Sequence, residues 1–218
     1  MRNYLAHIYR LSQGNPWVST TTLAQKLDVS PPAAVRMVKR LHSAGLLEHQ
    51  PYRGVKLSSE GSHLALLGVR RHRVVERFLV DVMGLGWHEV HDDADLMQSG
   101  ISQKVEDRMD EMMSHPTRCP HGEPIPSRDG VMPEIDDLPL IVVSPGTSGE
   151  VSRIKTHDPA KLEYLASLKL VPGTHYRLIS RHPFNGPLCL TIADRGEQVI
   201  GSELAATVWV TYTEVRHS

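Results

Sequence analysis

The chain has 218 residues, of which 40% are hydrophobic and 22% are charged, and its formal net charge at pH 7 is -1. This composition excludes a disordered protein, because a chain of this length and apolar content can bury at least one hydrophobic core. The longest apolar runs, residues 64–69 and 138–143, are too short to cross a bilayer, and residues 1–13 lack the basic start and apolar middle of a secretory signal. We therefore expect a globular cytoplasmic protein with no membrane partner.

The charge is distributed unevenly along the chain. Residues 1–56 contain eight Lys or Arg and two acidic residues, a net charge of +6, whereas residues 81–137 contain four and fourteen, a net charge of -10. A basic segment suits a polyanion, and an acidic segment suits a cation. The two cysteines, Cys119 and Cys189, are expected to be free thiols or metal thiolates rather than a disulfide.

Three helices are predicted in the first 45 residues. They cover residues 3–11, residues 20–27 with a cap from a threonine at position 20, 21 or 22, and residues 31–44, which begin after Ser30 and end at Gly45. The third helix should turn Val35, Val38 and Leu41 inward. Two alternating strands, residues 46–49 and 55–57, follow with a turn between them. This order predicts a winged helix-turn-helix.

The exposed residues of this unit suit DNA. A recognition helix needs small or polar residues where it enters the major groove and basic residues where it meets phosphates, and a wing can grip the backbone or minor groove. The candidate DNA-binding residues are Ser30, Pro32, Ala33, Arg36, Lys39 and Arg40 on the helix and Tyr52 and Arg53, beside Lys56, in the wing. The competing interpretation is a solvated basic surface on a compact helical domain.

The middle of the chain is predicted to be helical. A long helix starts at Ser58 or Ser59 and runs to Gly84, and further helices cover residues 89–98 and 102–113. The apolar stripe of the long helix comprises Leu64, Leu67, Val74, Phe78, Leu79 and Val82.

Seven prolines between Pro116 and Pro145 mark a linker, since proline suits neither a helix interior nor a central strand. Beyond it, segments rich in Val, Ile, Thr and Leu predict a small β-barrel interrupted by one helix at residues 159–168. The fold class is therefore mostly α with a C-terminal β-barrel. The expected domains are a winged helix-turn-helix at 1–62, a helical domain at 63–128, a Pro-rich linker at 129–148 and the barrel at 149–218.

Several residues of the middle region suit a metal ion. His72 and Glu76 are four residues apart, which places both side chains on one face of the long helix within chelating distance. An antiparallel return would bring His91 over this pair, and Cys119 and His121 offer a thiolate and an imidazole from the linker. A hydrolase with Cys119 as nucleophile and His121 as base is disfavoured, because no third orienting group or Gly-rich nucleophile turn accompanies them.

The sequence resembles the diphtheria toxin repressor and manganese transport regulator family of metal-activated repressors. The resemblance is carried by residues 4–9, 23–45, 52–54, 71–77 and 90–92, and most specifically by the Cys-Pro-His-Gly-x-Pro-Ile-Pro string at residues 119–126. It implies a DNA-binding winged helix, a helical domain for metal binding and homodimerisation, and a small FeoA-like barrel.

The resemblance also implies the ligand positions. His72, Glu76 and His91 match the family's ancillary metal site, and Cys119 and His121 match ligands used in manganese-responsive relatives. Asp158 lies where a carboxylate from the barrel joins that site. The regulatory site departs from the family pattern, because its positions hold Asn3, Asp95, Gln98 and Ser99. We therefore expect that second site to be weak, rearranged or absent.

These observations predict a metal-dependent repressor of metal-uptake genes that binds a double-stranded operator. Asp95, a hard ligand, favours Mn(II), while Cys119 favours Fe(II) or adventitious Zn(II). The alternative is a winged-helix regulator whose metal ion is only structural.

Overall fold

The computed structural model describes the backbone of residues 2–192 and 195–213 and the side chains of residues 4–192 and 195–212. The chain divides into two compact units. The first comprises Met1–His72 and Ile125–Pro133, and the second comprises Arg73–Pro124 and Glu134–Ser218. Among the described helices, none is both long enough and apolar enough to cross a membrane.

The first unit begins with two helices, α1 (Arg2–Leu11) and α2 (Thr20–Lys26). The cap of α2 is Ser19, whose hydroxyl accepts a hydrogen bond from the backbone N–H of Thr22 at 3.0 Å. The prediction of a threonine cap was wrong, because Ser19 is the extended residue directly before the helix and its oxygen reaches the free N–H groups first.

Helix α3 (Pro31–Ser43) begins after Ser30, as predicted, with proline at its start. Its buried side chains are Ala34, Val38 and Leu41, whereas Val35 is exposed. The inward assignment of Val35 was wrong because the spacing of Val38 and Leu41 places position 34, not 35, on the core-facing side of the helix.

The predicted wing is confirmed as the antiparallel pair β1 (Leu47–Gln50) and β2 (Gly54–Leu57). Val18 adds a bridge to this pair, because its backbone N–H and C=O both bond to Val55 at 2.8 Å. Gly54 has a φ of 107°, and a Cβ there would lie 2.2 Å from the carbonyl oxygen of Val18. Glycine is therefore required for the wing to lie against the segment before α2.

Three helices follow: α4 (Ser59–Asp81), α5 (Val90–Met97) and α6 (Gln103–Met112). The Ser58 hydroxyl accepts from the N–H of Gly61 at 3.0 Å, and Ser102 caps α6. Of the predicted stripe on α4, Val74 and Leu79 are buried, but Val82 lies beyond the helix and is exposed. The helical middle is thus confirmed, with a shorter apolar stripe.

The C-terminal part of the second unit is an antiparallel sheet with two helices and a short 3-10 turn at Leu140–Val142. Its elements are β3 (Leu138–Pro139), β4 (Ser148–Ile154), α7 (Pro159–Ser167), β5 (His175–Arg181), β6 (Leu188–Ile192), β7 (Gly196–Ile200), α8 (Ser202–Ala205) and β8 (Val208–Thr213).

This sheet has six strands in the order β3-β8-β4-β5-β6-β7. The predicted closure into a barrel is not shown, because within the described residues β3 and β7 remain at opposite edges. Strand β3 has only two residues and ends in Pro139, which has no N–H to donate to a further strand. The core of the sheet includes Val151, Leu178 and Leu190, all fully buried.

A part-buried ion network holds the segment after Cys119 within the second unit. Glu123 accepts from Arg73 of α4 at 2.8 Å and from Arg153 of β4 at 3.5 Å. Arg153 also donates to the fully buried side chain of Asp137 at 2.8 Å. Because these groups come from a helix, a loop and a strand, their pairing holds the loop between α6 and β3 to α4 and β4.

Candidate functional site

The residues 119–122 form a tight loop against β4. The N–H of Gly122 donates to the carbonyl of Cys119 at 2.9 Å, and the N–H of Ile154 donates to the carbonyl of His121 at 2.8 Å. Gly122 has a φ of 82°, and a Cβ there would lie 2.2 Å from the carbonyl oxygen of Ser152. The conformation of this loop buries both Cys119 and His121.

The ring of His121 is oriented by hydrogen bonds at both nitrogens. Its Nε2 lies 2.8 Å from the carbonyl oxygen of Trp87, and since a carbonyl only accepts, Nε2 carries a proton. Its Nδ1 lies 3.8 Å from Glu76 Oε2 and 3.9 Å from Cys119 Sγ. In the neutral imidazole the lone pair is therefore on Nδ1, between a carboxylate and a thiol, which is the orientation of a histidine that ligates a metal ion.

The pKa values of His121 and Cys119 depend on each other and on the adjacent Glu76 carboxylate. Burial by itself would lower the pKa of His121, but hydrogen bonds to Cys119 and Glu76 raise that pKa to about 10. Burial and the adjacent Glu76 carboxylate raise the pKa of the Cys119 thiol. Without a cation, a proton on His121 therefore neutralises the buried carboxylate.

Two more histidines adjoin Glu76 and His121. His91 Nδ1 lies 3.0 Å from Glu76 Oε1, and its ring stacks on His157 with 3.7 Å between the ring centroids. The ligand atoms of Glu76, His121 and His157 all lie within 4.8 Å of one another. Glu76, His91, Cys119 and His121 thus lie close together.

His157 was not identified from the sequence. It lies directly before Asp158, the residue that the family resemblance assigned to the site, and among thirteen histidines its spacing is not distinctive. Asp158 itself is exposed and caps α7, where its carboxylate accepts from the N–H groups of Ala160 and Lys161 at 3.0 and 3.3 Å. The adjacency of His157 to Asp158 was the one available signal.

The remaining predicted ligands lie on α4 and around α5. His72 is buried on α4, one helical turn before Glu76. Asp95 Oδ2 lies 3.9 Å from His91 Nε2, and Asp95 Oδ1 accepts from the amide of the buried Gln98 at 2.7 Å. The side chain of Asn3 lies outside the described residues.

The predicted DNA-facing residues of α3 lie along one side of that helix. Ser30 is exposed at the N-terminal end, and its hydroxyl forms no cap hydrogen bond. Pro32, Arg36, Lys39 and Arg40 are exposed, and Ala33 is partly exposed. The helix therefore presents small residues at its start and cations along the next two turns, the arrangement that a recognition helix requires.

The wing tip contributes two more of the predicted residues. Tyr52 has a φ of 63° and a fully exposed side chain. The guanidinium of Arg53 lies 4.4 Å from the ring centroid of Trp17 and donates to Gln50 Oε1 at 3.4 Å. Lys56, on β2, pairs weakly with Glu48 across the hairpin.

Three segments of the chain match known families. Residues 1–55 match the iron dependent repressor, N-terminal DNA binding domain; residues 58–127 match the iron dependent repressor, metal binding and dimerisation domain; and residues 138–212 match the FeoA domain. The matches follow the same order as the elements described above.

Whole-chain comparisons agree with these matches. The chain is 34% identical over 175 residues to the iron-dependent repressor IdeR of Mycobacterium bovis, which covers 76% of each protein. It is 30% identical over 191 residues to the diphtheria toxin repressor of Corynebacterium jeikeium, covering 82% of this chain and 78% of the relative. A solved manganese-dependent transcriptional repressor in complex with manganese superposes with a TM-score of 0.87 at 34% identity, over 97% of this chain and 99% of that one.

The fold and the convergent side chains define a winged-helix protein with groups that could hold a metal ion, which is the class of the metal-dependent transcriptional repressors. The chain belongs to the iron-dependent repressor family, which includes the diphtheria toxin repressor. It is a metal-dependent DNA-binding regulator, and the interpretation with a purely structural metal is not supported. This family consists of DNA-binding transcriptional repressors, which are not enzymes.

Proposed function

We propose that this protein is a cytoplasmic homodimeric repressor of metal-uptake genes, which binds its operator when Mn(II) or Fe(II) occupies a centre built on Glu76 and His121. The observation that carries the proposal is the convergence of Glu76, His121 and His157 within 4.8 Å. These three side chains come from α4, the loop after residue 118 and the segment before α7. Their contact therefore depends on the folded second unit.

The donor chemistry supports a divalent ion at this centre. Glu76 supplies a hard carboxylate, His121 a lone pair on Nδ1, and Cys119 a thiol that becomes a thiolate ligand on losing its proton. His91 and His157 adjoin the same carboxylate, and His72 shares its helix face by the four-residue spacing. We assign His157, rather than Asp158, as the ligand contributed by the C-terminal domain, because Asp158 is engaged as a helix cap.

Asp95 and Gln98 suit a secondary role. The Gln98 amide donates to Asp95 Oδ1, and Asp95 Oδ2 lies 3.9 Å from His91 Nε2. An amide is a weaker ligand than a carboxylate, and Ser99 offers no imidazole. We therefore propose that any second site binds an ion more weakly than the Glu76 centre.

The mixed nitrogen, oxygen and sulfur donors fit Mn(II) and Fe(II), and a thiolate also permits Zn(II) as an adventitious occupant. Curated relatives are described as iron-dependent and solved neighbours as manganese-dependent. We therefore propose both ions as activators.

Exposed apolar side chains in the second unit support dimerisation. They lie after the end of α4 and on α5 and α6, within the segment that matches a metal binding and dimerisation domain. The set comprises Val82, Met83, Leu85, Leu96, Val105 and Met112. Covering these groups with a second copy would remove them from water.

The ion regulates DNA binding only if it binds the DNA-competent arrangement better than the alternative. A preference of about a hundredfold corresponds to roughly 2.7 kcal/mol of coupling, which is sufficient to switch an operator. The segment 81–137 supplies a source for this preference, because its excess of fourteen acidic over four basic residues repels itself without a cation.

The test is a DNA-binding titration under anaerobic conditions at fixed salt, with a duplex selected from a random pool by the Mn(II)-loaded protein. We expect Mn(II) or Fe(II) to strengthen binding by about a hundredfold relative to chelator. Glu76→Gln should abolish the effect, while Glu60→Gln, an exposed acidic position on the same helix, should retain it. An affinity that is equal in chelator and in excess Mn(II) overturns the proposal.

A further inference from the structure

The wing residue Arg53 makes a side-chain contact that the DNA-binding function does not by itself explain. Its guanidinium lies over the indole of Trp17, 4.4 Å from the ring centroid, and it also donates to Gln50 Oε1. A guanidinium at this distance above an indole face is attracted by the ring quadrupole. An arginine side chain otherwise has several rotatable bonds, whose freedom is lost when it binds a phosphate.

The backbone fixes the position of the indole relative to the wing. Val18, the residue after Trp17, is bridged to Val55 by two hydrogen bonds of 2.8 Å. The N–H of Trp17 donates to Asn15 Oδ1 at 3.0 Å, which holds the turn before it. Gly54, next to Arg53, allows this approach because any Cβ there would meet Val18. Trp17 is thus tied to the wing by groups other than Arg53.

We propose that Trp17 is a positioning residue for DNA binding: its indole holds the Arg53 guanidinium in the orientation that meets a DNA phosphate. This inference rests on the proposed function, in which the wing contacts the duplex. The indole uses only the face of the guanidinium, so its in-plane N–H groups stay available for a phosphate, apart from the one that bonds to Gln50.

If Trp17 acts through Arg53, substitutions of these two residues should change DNA affinity in a particular pattern. Trp17→Ala and Arg53→Ala should each weaken DNA binding, and the double variant should be no weaker than Arg53→Ala alone, because Trp17 acts only through Arg53. From the usual strength of an exposed cation–π pair, we expect Trp17→Ala to lower DNA affinity by about two- to fivefold. Trp17→Phe should restore part of this loss, whereas Trp17→Leu, which fills space without a π face, should not.

The probe is a random-sequence 30-base-pair duplex, of about three helical turns, because phosphate contacts are independent of sequence. Affinity is measured for the full chain in excess Mn(II) over a range of salt concentrations. The slope of log affinity against log salt should become less steep by about 0.9 in Arg53→Ala, which corresponds to the loss of one phosphate contact. In Trp17→Ala the slope should change by part of that amount. Thermal unfolding of each variant, measured in parallel, detects a merely structural effect.

Two results would overturn the inference. In the first, Trp17→Leu binds DNA as tightly as the unmodified protein; in the second, the losses from Trp17→Ala and Arg53→Ala simply add. Lys39→Ala separates these outcomes from failure of the proposed function. If Lys39→Ala weakens binding and the Trp17 variants do not, the DNA face stands and the positioning role fails; if none of the variants changes affinity, the DNA face itself is wrong.

Discussion

At the scale of single residues, the proposed metal centre depends on the location of one proton. The Trp87 carbonyl requires a proton on Nε2 of His121, so any second proton must occupy Nδ1, the atom that faces Glu76 and Cys119. A cation and this Nδ1 proton therefore compete for the same lone pair. The raised pKa of His121 favours the proton in the metal-free protein.

This competition predicts a pH-dependent metal affinity. With a His121 pKa of about 10, the imidazole is protonated in the metal-free protein at neutral pH, and the raised Cys119 pKa keeps the thiol protonated as well. Each proton displaced makes Mn(II) affinity rise by about tenfold per pH unit as pH increases through neutrality. Calorimetric titrations in buffers of different ionisation enthalpy would count the protons released.

Cys119→Ser is the control for this prediction. Because a hydroxyl does not ionise at neutral pH, this variant should release one proton fewer than the unmodified protein when Mn(II) binds. Equal Mn(II) affinity at low and high pH would contradict it. The same raised His121 pKa has the opposite effect on the metal-free fold: it stabilises that fold below the ordinary histidine pKa of 6.5, and the stabilisation is lost as pH rises towards 10.

Spacing along the chain predicted only the local pairs of this proposed centre: His72 and Glu76 share a helix face, and Cys119 and His121 are separated by one residue. The expectation that these pairs belong to one site came from the family resemblance. His157 was missed because its role depends on the folding of the C-terminal sheet, which brings it onto the ring of His91. No local pattern encodes that long-range contact.

At the scale of secondary structure elements, the start of α7 distinguishes two roles for neighbouring residues. Asp158 caps the helix and His157 lies in the ligand cluster. We expect Asp158→Asn, which keeps a capping oxygen and removes the charge, to leave Mn(II) affinity unchanged. Asp158→Ala should lower the free energy of unfolding by about 1 kcal/mol through loss of the cap. Urea unfolding and Mn(II) titration measure the two quantities separately.

His157→Ala is the matched variant in this comparison. It should weaken Mn(II) binding by at least about tenfold. Losses of this size follow the removal of a group that supports a metal site. The assignment would be reversed if Asp158→Asn weakened Mn(II) binding as much as His157→Ala does.

The sequence predicted the helices better than the sheet. Serine or proline at their starts located α3, α4 and α6 closely, and Gly45 marked the end of α3, because those signals act within one helical turn. The sheet was predicted to close into a barrel. The strand β3 was not predicted, because it is short, lies in the Pro-rich segment and pairs with β8, which is distant in sequence. The short helix α8 also has no distinct periodicity and was not predicted.

At the scale of the whole molecule, the charge distribution assigns one chemistry to each unit. The basic N-terminal segment carries the exposed cations of α3 and the wing, while the acidic middle segment belongs mainly to the second unit, which contains Glu76 and His121. Helix α4 belongs to both, because His72 ends one part of the first unit and Arg73 begins the second. Glu76 thus lies on the same helix as residues 59–72 of the first unit.

Dimerisation is the step that would join two such chains on one duplex. Leu96 is 76% exposed on α5, within the segment matching a dimerisation domain. Leu96→Lys would place an ammonium group in an apolar interface, where its loss of water is not compensated. We expect the dimer dissociation constant to rise by at least about tenfold, and DNA affinity to fall with it.

Sedimentation velocity over a range of protein concentrations measures the dimer equilibrium, and Phe184→Lys provides the control. Phe184 is fully exposed in the same unit but lies in the turn between β5 and β6, outside the matched dimerisation segment. Its substitution should leave the dimer intact, because exposure alone does not make a residue part of an interface. If Leu96→Lys and Phe184→Lys had the same effect on the dimer, the surface formed by α5 and α6 would not be the interface, and the metal centre would have to act on DNA binding within a single chain.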